Sequence, residues 1–420
     1  MAIEGKLSPD DWDEYGYDIS ITINYDGNLV QLKPAQMQSL LIEKNYDNSN
    51  LPVLILSISE ASTSSKINNK TEFIISIDRF IAVKDNKGKI KQKKNKINVL
   101  RDTFSPIITD TTPDSDNLLS DIFSKENKIK KDELTAEDLT AQKKYTLFRK
   151  KDLISSKFVY NDVLKDMTMT KAINLLLSKA GVSKTLMTNL DNTDIIPELL
   201  FMPIGLIQQL TYLKNYYGWH REDTLIFMDF DVTYIIRMNG QCTAWRPGET
   251  KLVTFYLDTV NKGDNVKGGM TQMGSDVYIN VGSNNYNEQD STSVVEQTTG
   301  TNTIMINEDS GSVATIQGTK TNTLSGSGST NIKTTKGHNP YLKNWVTYRS
   351  REQSSAMTLT CNNIDFFLLT PNKEYRLVSS KSKIAKNIKG TYRISSVSTS
   401  FGKDGNSFSS KTNVTLKKSI

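Results

Sequence analysis

The 420-residue chain is poor in the residues that most binding and catalytic chemistry requires, with two cysteines, two histidines and ten prolines. Cys242 and Cys361 stand far apart without CxxC spacing, which argues against a thiolate zinc ribbon and a disulfide framework and leaves two buried, reduced thiols. His220 and His338 need carboxylate or thiolate help to hold zinc, and His220, between Trp219 and Arg221, reads as a turn residue. No apolar run approaches the roughly 18 residues that a membrane-spanning helix needs, so no membrane segment is expected. Met1-Ala2-Ile3-Glu4-Gly5 has neither the basic nor the apolar region of a cleaved secretory signal. GxxxxGK[ST], HExxH, an EF-hand loop and a nucleophile elbow are all missing. The expectation is therefore no catalytic, cofactor-binding or metal-binding residue, no cofactor, and no enzyme.

What is present points to several β-rich domains. At roughly 150 residues per domain the length suggests two to four, and 37% hydrophobic with 23% charged residues sits slightly to the polar side of a soluble globular protein. The net charge of +6 is local. Lysines 84, 87, 89, 91, 93, 94 and 96 crowd around Gly88 in the run Lys84–Lys96, which reads as a solvated hairpin tip, because no aromatic residue sits between them to stack on a base.

The best-patterned stretch runs from Phe158 to Ile236. Thr170 offers a hydroxyl cap, and Ile173, Leu176, Leu177 and Ala180 share one helical face before Gly181. A second helix is expected from Pro203, with Leu206, Ile207, Leu210, Leu213 and Tyr217 on its apolar face and Gly218 as its stop. Then Leu225 and Phe227, and Phe230, Val232, Tyr234 and Ile236, alternate in strand fashion, with the phase slipping at Met228-Asp229 as at a bulge or tight turn.

On the N-terminal side Tyr17, Ile19, Ile21 and Ile23 alternate with polar residues up to the hairpin signal Asp26-Gly27. Leu40 to Tyr46, Leu51 to Ser59 and Phe73 to Ile77 follow as strands, a spacing that argues for a sandwich or barrel. Residues 103–142 read as a polar insertion, with Lys125 to Asp138 able to hold a short helix, and Tyr145, Leu147 and Ile154 return to strand character. Leu252 to Leu257 opens a second β domain, interrupted from about 261 to 338 by a Gly/Ser/Thr-rich tract with strand signals at Val277–Ile279, Thr303–Ile306 and Val313–Ile316 and a tip at Leu324–Ser329. Strand signals resume at Met357–Thr360, Phe366–Leu369, Tyr375–Val378, Gly390–Ile394 and Asn413–Leu416, with a turn at Lys403–Asn406. The expected division is an N-terminal segment 1–16, a first barrel 17–156, a central α+β module 157–237, a second barrel from 238–260 and 339–420, and the insertion 261–338.

Asn161-Asp162-Val163-Leu164, Ala172-Ile173 with Leu176-Leu177, Leu199-Leu200 with Pro203, Tyr212-Leu213 with Tyr217-Gly218-Trp219, and Phe227-Met228-Asp229-Phe230 leading to Tyr234-Ile235-Ile236 occur in the order seen in baseplate hub proteins of contractile phage tails, which this stretch resembles. Ile42 to Tyr46 through Asn50 to Val53 resembles the first barrel of those hubs, and Gly390 to Val397 with Phe401 and Phe408 resembles the close of the second tube-like barrel in hub and late control proteins. The resemblance implies a mainly β fold of two tube-like β-barrels with a helix-containing module between them. It also implies a homotrimer whose three chains present six barrels to a six-fold tail tube ring and three-fold symmetry to a central spike, with baseplate wedge proteins outside. Genomic DNA would pass the lumen unread, and the protein would reside in the virion after assembly in the host cytoplasm.

Two competing readings attach to named residues. Glu222, Asp223, Asp229 and Asp231 cluster near strand ends, where a glycosidase could place two carboxyl groups but turn and capping roles are commoner. Tyr212, Tyr216, Tyr217 and Trp219 offer either a carbohydrate platform or core packing at a helix end. The Gly/Ser/Thr-rich tract would serve a peripheral adaptor or receptor-binding module as a contact surface.

Overall fold

Strict alternation from Tyr17 to Ile23 dictates an extended strand with one wet face and one dry face, because successive side chains point to opposite sides. A computed structural model of the chain describes residues 12–47, 49–59, 67–84, 90–107, 142–220, 224–237, 249–257, 269–288, 303–307, 312–316, 331–334, 355–378 and 390–418. Strand β1 (Tyr15–Tyr25) buries Tyr17, Ile21 and Ile23. It turns at Asp26 and Gly27, whose φ angles of 50° and 83° are those of a two-residue type I′ loop, into β2 (Asn28–Gln31).

The next five strands, β3 (Met37–Asn45), β4 (Val53–Ser59), β5 (Glu72–Lys84), β6 (Ile90–Pro106) and β7 (Gln142–Arg149), form an antiparallel run in the order β3-β4-β7-β6-β5-β1. That run alone would leave two raw edges. Both are taken by the C-terminal hairpin, β22 (Thr391–Asp404) and β23 (Ser407–Lys418): β22 pairs with β3, β23 meets β1 at Tyr17 and Phe408, and the pair closes an eight-strand barrel.

The same hairpin lies in the middle of a second path. There β14 (Met270–Met273), β15 (Asp276–Asn280), β13 (Leu252–Tyr256) and β21 (Glu374–Val378) approach β22 from one side, while β20 (Ser355–Asn362) and β16 (Ser283–Glu288) extend from β23 on the other. Strand β22 changes outer partner from β21 at Tyr392 to β3 at Ser396, across a bulge between Ile394 and Ser396. Strand β23 does the same, from β1 at Phe408 to β20 from Lys411 onward. The fold is thus mainly β, with two tube-like β units sharing one long hairpin.

Between them in sequence lies the α+β module: α1 (Lys150–Ser156), β8 (Asp162–Thr168), α2 (Met169–Lys179), β9 (Thr185–Met187), β10 (Ile195–Phe201), α3 (Leu206–Tyr217), β11 (Thr224–Met228) and β12 (Thr233–Arg237). The expected faces are buried, with Ile173, Leu176 and Leu177 on α2 and Leu206, Leu210 and Leu213 on α3. Gly218 ends α3 at φ 75°, where a Cβ is strained. The phase slip at Met228-Asp229 is a tight turn, with Asp229 N–H donating to Val232 O at 2.8 Å. Strands β11 and β12 form a wall between two cores. Leu225, Phe227, Tyr234 and Ile236 join the core of the β units, and Ile226, Met228 and Ile235 join that of the helical module.

Four local expectations are corrected. Ile154 belongs to helix α1, where it is 63% exposed, because the two-residue alternation stops at Arg149. Phe366–Leu368 form a 3-10 turn instead of a strand, since the Asp365 carboxylate accepts the Phe367 N–H. Helix α2 starts two residues earlier than a Thr170 cap requires, with Thr168 at its N-cap. Pro203 precedes α3, which begins behind Gly205, whose extended backbone (φ −62°, ψ 155°) makes it the N-cap and where a Cβ would meet Ser156 O at 2.8 Å. Strands β17 (Thr303–Asn307), β18 (Ser312–Ile316) and β19 (Asn331–Thr334) form a separate small sheet within the Gly/Ser/Thr-rich tract. The Lys125–Asp138 helix and the Leu324–Ser329 tip lie outside the described residues.

The shared hairpin is fastened to the first barrel by one carboxylate. Asp47, just after β3, accepts from Arg393 Nη1 at 2.7 Å, Ser395 Oγ at 2.5 Å and Lys417 Nζ at 2.5 Å. Burial raises its pKa, but Arg393 and Lys417 outweigh that and hold it below the usual carboxylate range. A depressed folded pKa stabilises above the unfolded value, and the stabilisation is lost as pH falls through the folded one. Asp47→Ala removes the carboxylate that the buried Arg393 shares with Lys417 and should cost about 3–5 kcal/mol in urea unfolding at pH 7. The difference from the parent should shrink as the pH is lowered below about 4.

Candidate functional site

The inward positions of β3 are Met37, Leu40, Ile42 and Lys44, so the strand's own alternation drives a lysine into the core. A buried ammonium persists only with a partner. Lys44, 2% exposed, donates to Asp229 Oδ2 at 2.8 Å from the β11–β12 turn, and its Nζ lies 5.0 Å from the Phe230 ring centroid and 5.8 Å from that of Phe367. The other Asp229 oxygen accepts the Phe230 N–H at 2.8 Å. One ion pair therefore joins the first barrel, the central module and the 3-10 turn of the second β unit.

Beside it opens a cavity of about 430 Å³ whose wall includes Arg101 and Asp102 of β6, Arg149, Glu249 and Lys373. Several of its charges are answered within the wall: Arg149 Nε donates to Asp102 at 2.5 Å, Arg149 Nη1 lies 3.3 Å from Asp152, and Lys373 Nζ donates to Leu368 O at 2.6 Å and lies 3.9 Å from Glu249. Asp152 on α1 is pushed up to about 7, chiefly by burial, with Arg149 opposing and Asp102 and Asp229 adding to the rise. Such a set of matched charges holds parts in register.

The glycosidase reading loses its central acid here, because Asp229 is buried and committed to Lys44. Asp231 is exposed, and Glu222 and Asp223 lie outside the described residues. Among the described residues no three metal-ligating side chains converge, and no helix is long and apolar enough to cross a membrane. His220 is a buried residue of the central module with Nε2 at 3.1 Å from Thr188 Oγ1, and burial, reinforced by Arg237, lowers its pKa to about 4. Cys361 is a buried thiol on β20; Cys242 and His338 lie outside the described residues.

The described part of the basic run lies at the end of β5 and the start of β6, residues 85–89 being outside the described residues, and much of its charge is answered locally. Lys84 pairs with Glu14 at 2.5 Å, Lys93 with Asp18 at 2.6 Å, and Lys96 with Asp18 at 2.8 Å and Asp78 at 3.2 Å. Lys91 and Lys94 remain exposed on β6. The four aromatic residues separate: Trp219 is buried in the module, Tyr212 and Tyr217 are half-buried against its core, with the Tyr217 hydroxyl accepting the Leu200 N–H at 3.1 Å, and Tyr216 stands at the surface. Lys44 carried a legible signal, a charge at an inward strand position; the charges at Asp102, Arg149 and Asp152 carried none.

The family described as Bacteriophage PBS1 gene 109 protein matches residues 13–419. No curated protein matches the chain. Among solved structures, the tail protein from Neisseria meningitidis MC58 superposes with a TM-score of 0.52 at 10% identity, over 96% of this chain and 97% of that one. The 43 kDa tail protein of prophage MuSo2 from Shewanella oneidensis gives 0.48 at 12% identity, over 94% and 97%. A Francisella PdpA-VgrG complex chain gives 0.48 at 10%, over 97% of this chain and 53% of that one. At 10% identity the Neisseria likeness is one of fold.

Removing one member of the buried pair should be worse than removing both. Lys44→Met or Asp229→Asn alone strands a charge and should cost about 3–5 kcal/mol in chemical denaturation, whereas the double variant should recover most of it. Asp152 has the opposite sign to Asp47. Its folded pKa of about 7 exceeds the unfolded 3.8, so its stabilisation is complete below about pH 4 and lost as pH rises through about 7. Asp152→Asn should flatten the parent's decline in melting temperature between pH 4 and 8 and melt higher than the parent at pH 8.

Proposed function

The chain belongs to the family of the Bacteriophage PBS1 gene 109 protein, and from that premise we propose that it is a structural tail protein, the trimeric central hub of a contractile-tail baseplate. The observation that carries this reading is the hairpin β22–β23, whose two strands each divide their outer edge between two β units. One chain thereby holds two tube-like units side by side. Three such chains offer six units around a ring, which matches a six-fold tube on one side and keeps three-fold symmetry for a spike on the other. The tail-protein fold shared with the Neisseria chain supports the same setting.

In this reading the protein acts by geometry. Its partners are two further copies, the tube's first ring, a spike and the wedge proteins, and genomic DNA crosses the lumen without being read. The lysine hairpin lies outside the lumen, and the protein, assembled in the bacterial cytoplasm, ends in the virion. Enzymatic work is not assigned to it, since Asp229 is held by Lys44.

Light scattering on the purified chain, followed by negative-stain imaging with its tail tube protein, tests the proposal. Three chain masses and a ring with an open lumen are expected. A monomer at tens of micromolar that forms no ring with the tube protein would overturn it.

A further inference from the structure

Helix α3 buries a stripe of Leu206, Leu210 and Leu213, and Tyr217 extends it. Tyr216 lies off that stripe. It is 66% exposed, and its ring stacks at 18° on that of Tyr212, with centroids 5.5 Å apart. Core formation gives no reason for a large aromatic at this position.

The two rings line an open groove of about 540 Å³ between the outer face of α3 and the β3–β4 connection, within the roughly 300–1,000 Å³ of small-molecule sites. Gln208, Thr211 and Asn215 line it from the helix and Asn50 from the opposite side. No acidic or basic side chain lines it, and its one aliphatic side chain is Ile207.

We propose that this groove binds a neutral oligosaccharide. A pyranose has a C–H face that packs on an aromatic ring, and a rim of hydroxyls that both donate and accept. Side-chain amides do both as well, so Gln208 and Asn215 match that rim as a purely donating or accepting set could not, while Asn50, whose Nδ2 donates to Ile226 O at 2.7 Å, adds its Oδ1 as an acceptor. The missing cations argue against a phosphate-bearing or nucleic-acid ligand. The proposal does not rest on the hub reading, because the groove lies within one chain.

Saturation-transfer NMR and calorimetry on the full chain, with tri-N-acetylchitotriose and with cellotriose as probes, test it. At least one should bind with a dissociation constant of roughly 0.1–5 mM, as a shallow open site allows. Tyr216→Ala should weaken that binding about tenfold or more at unchanged melting temperature, and Tyr216→Trp should preserve it. Asn215→Ala should weaken it several-fold. No transfer from either sugar at 10-fold excess over the expected constant, or transfer that survives Tyr216→Ala, overturns the proposal. So does shielding of Tyr216 from nitration when the chain assembles with itself or the tube protein, which would make the groove a protein contact.

Discussion

Backbone pairing along one hairpin constrains the rest of this molecule. A strand has two edges, and in β22 and β23 one edge of each is spent on the other strand, leaving two outer edges for the two β units. Those edges are divided lengthwise, at the Ile394/Ser396 bulge on β22 and between Phe408 and Lys411 on β23. A bulge increases local twist and bends the strand, which is what allows β22 to leave one curved sheet and enter another. The orientation of the units is therefore set by the ladder of a single hairpin, with no flexible linker between them along those two strands.

Buried charge reinforces the same seams. Lys44 with Asp229 ties barrel to module, Asp47 with Arg393 and Lys417 ties the barrel to the hairpin, and Arg79 pairs with Asp365 between β5 and the 3-10 turn of the second unit. Apolar residues of similar volume would often stabilise as well or better, because the desolvation cost of each charge is large. What the pairs add is register, since a seam sliding by one residue would strand a charge in the core. Leu and Ile contacts, which tolerate sliding, would not punish that error so sharply.

Local order was largely legible in the sequence. Period-two alternation from Tyr17 to Ile23, the Asp26-Gly27 turn, the faces of α2 and α3 and the phase slip at Met228-Asp229 are all short-range signals, and each appears where its pattern puts it. Closure was not legible. That Tyr17 lies opposite Phe408, or that Lys44 finds its counter-ion 185 residues away, leaves no periodic trace. Short apolar runs misled where a side chain diverted the backbone, as Asp365 does at Phe366–Leu368. Among the aromatic residues 212–219, spacing separated Tyr217 from Tyr216 only once the helix stripe was known to run through Leu213.

The meeting of β1 with β23 also fixes an order of events during synthesis. Tyr17 donates its hydroxyl proton to Ile364 O across 347 residues and sits opposite Phe408. At roughly 5–20 residues per second, the ribosome delivers the closing strands about 20–80 s after the strand they complete. The six-strand run is complete only once Arg149 has emerged and then waits about 12–50 s for Thr391 with the β3 edge and much of the β1 edge unpaired, an interval in which neighbours, chaperones or sister chains on the same message can engage before the cylinder seals.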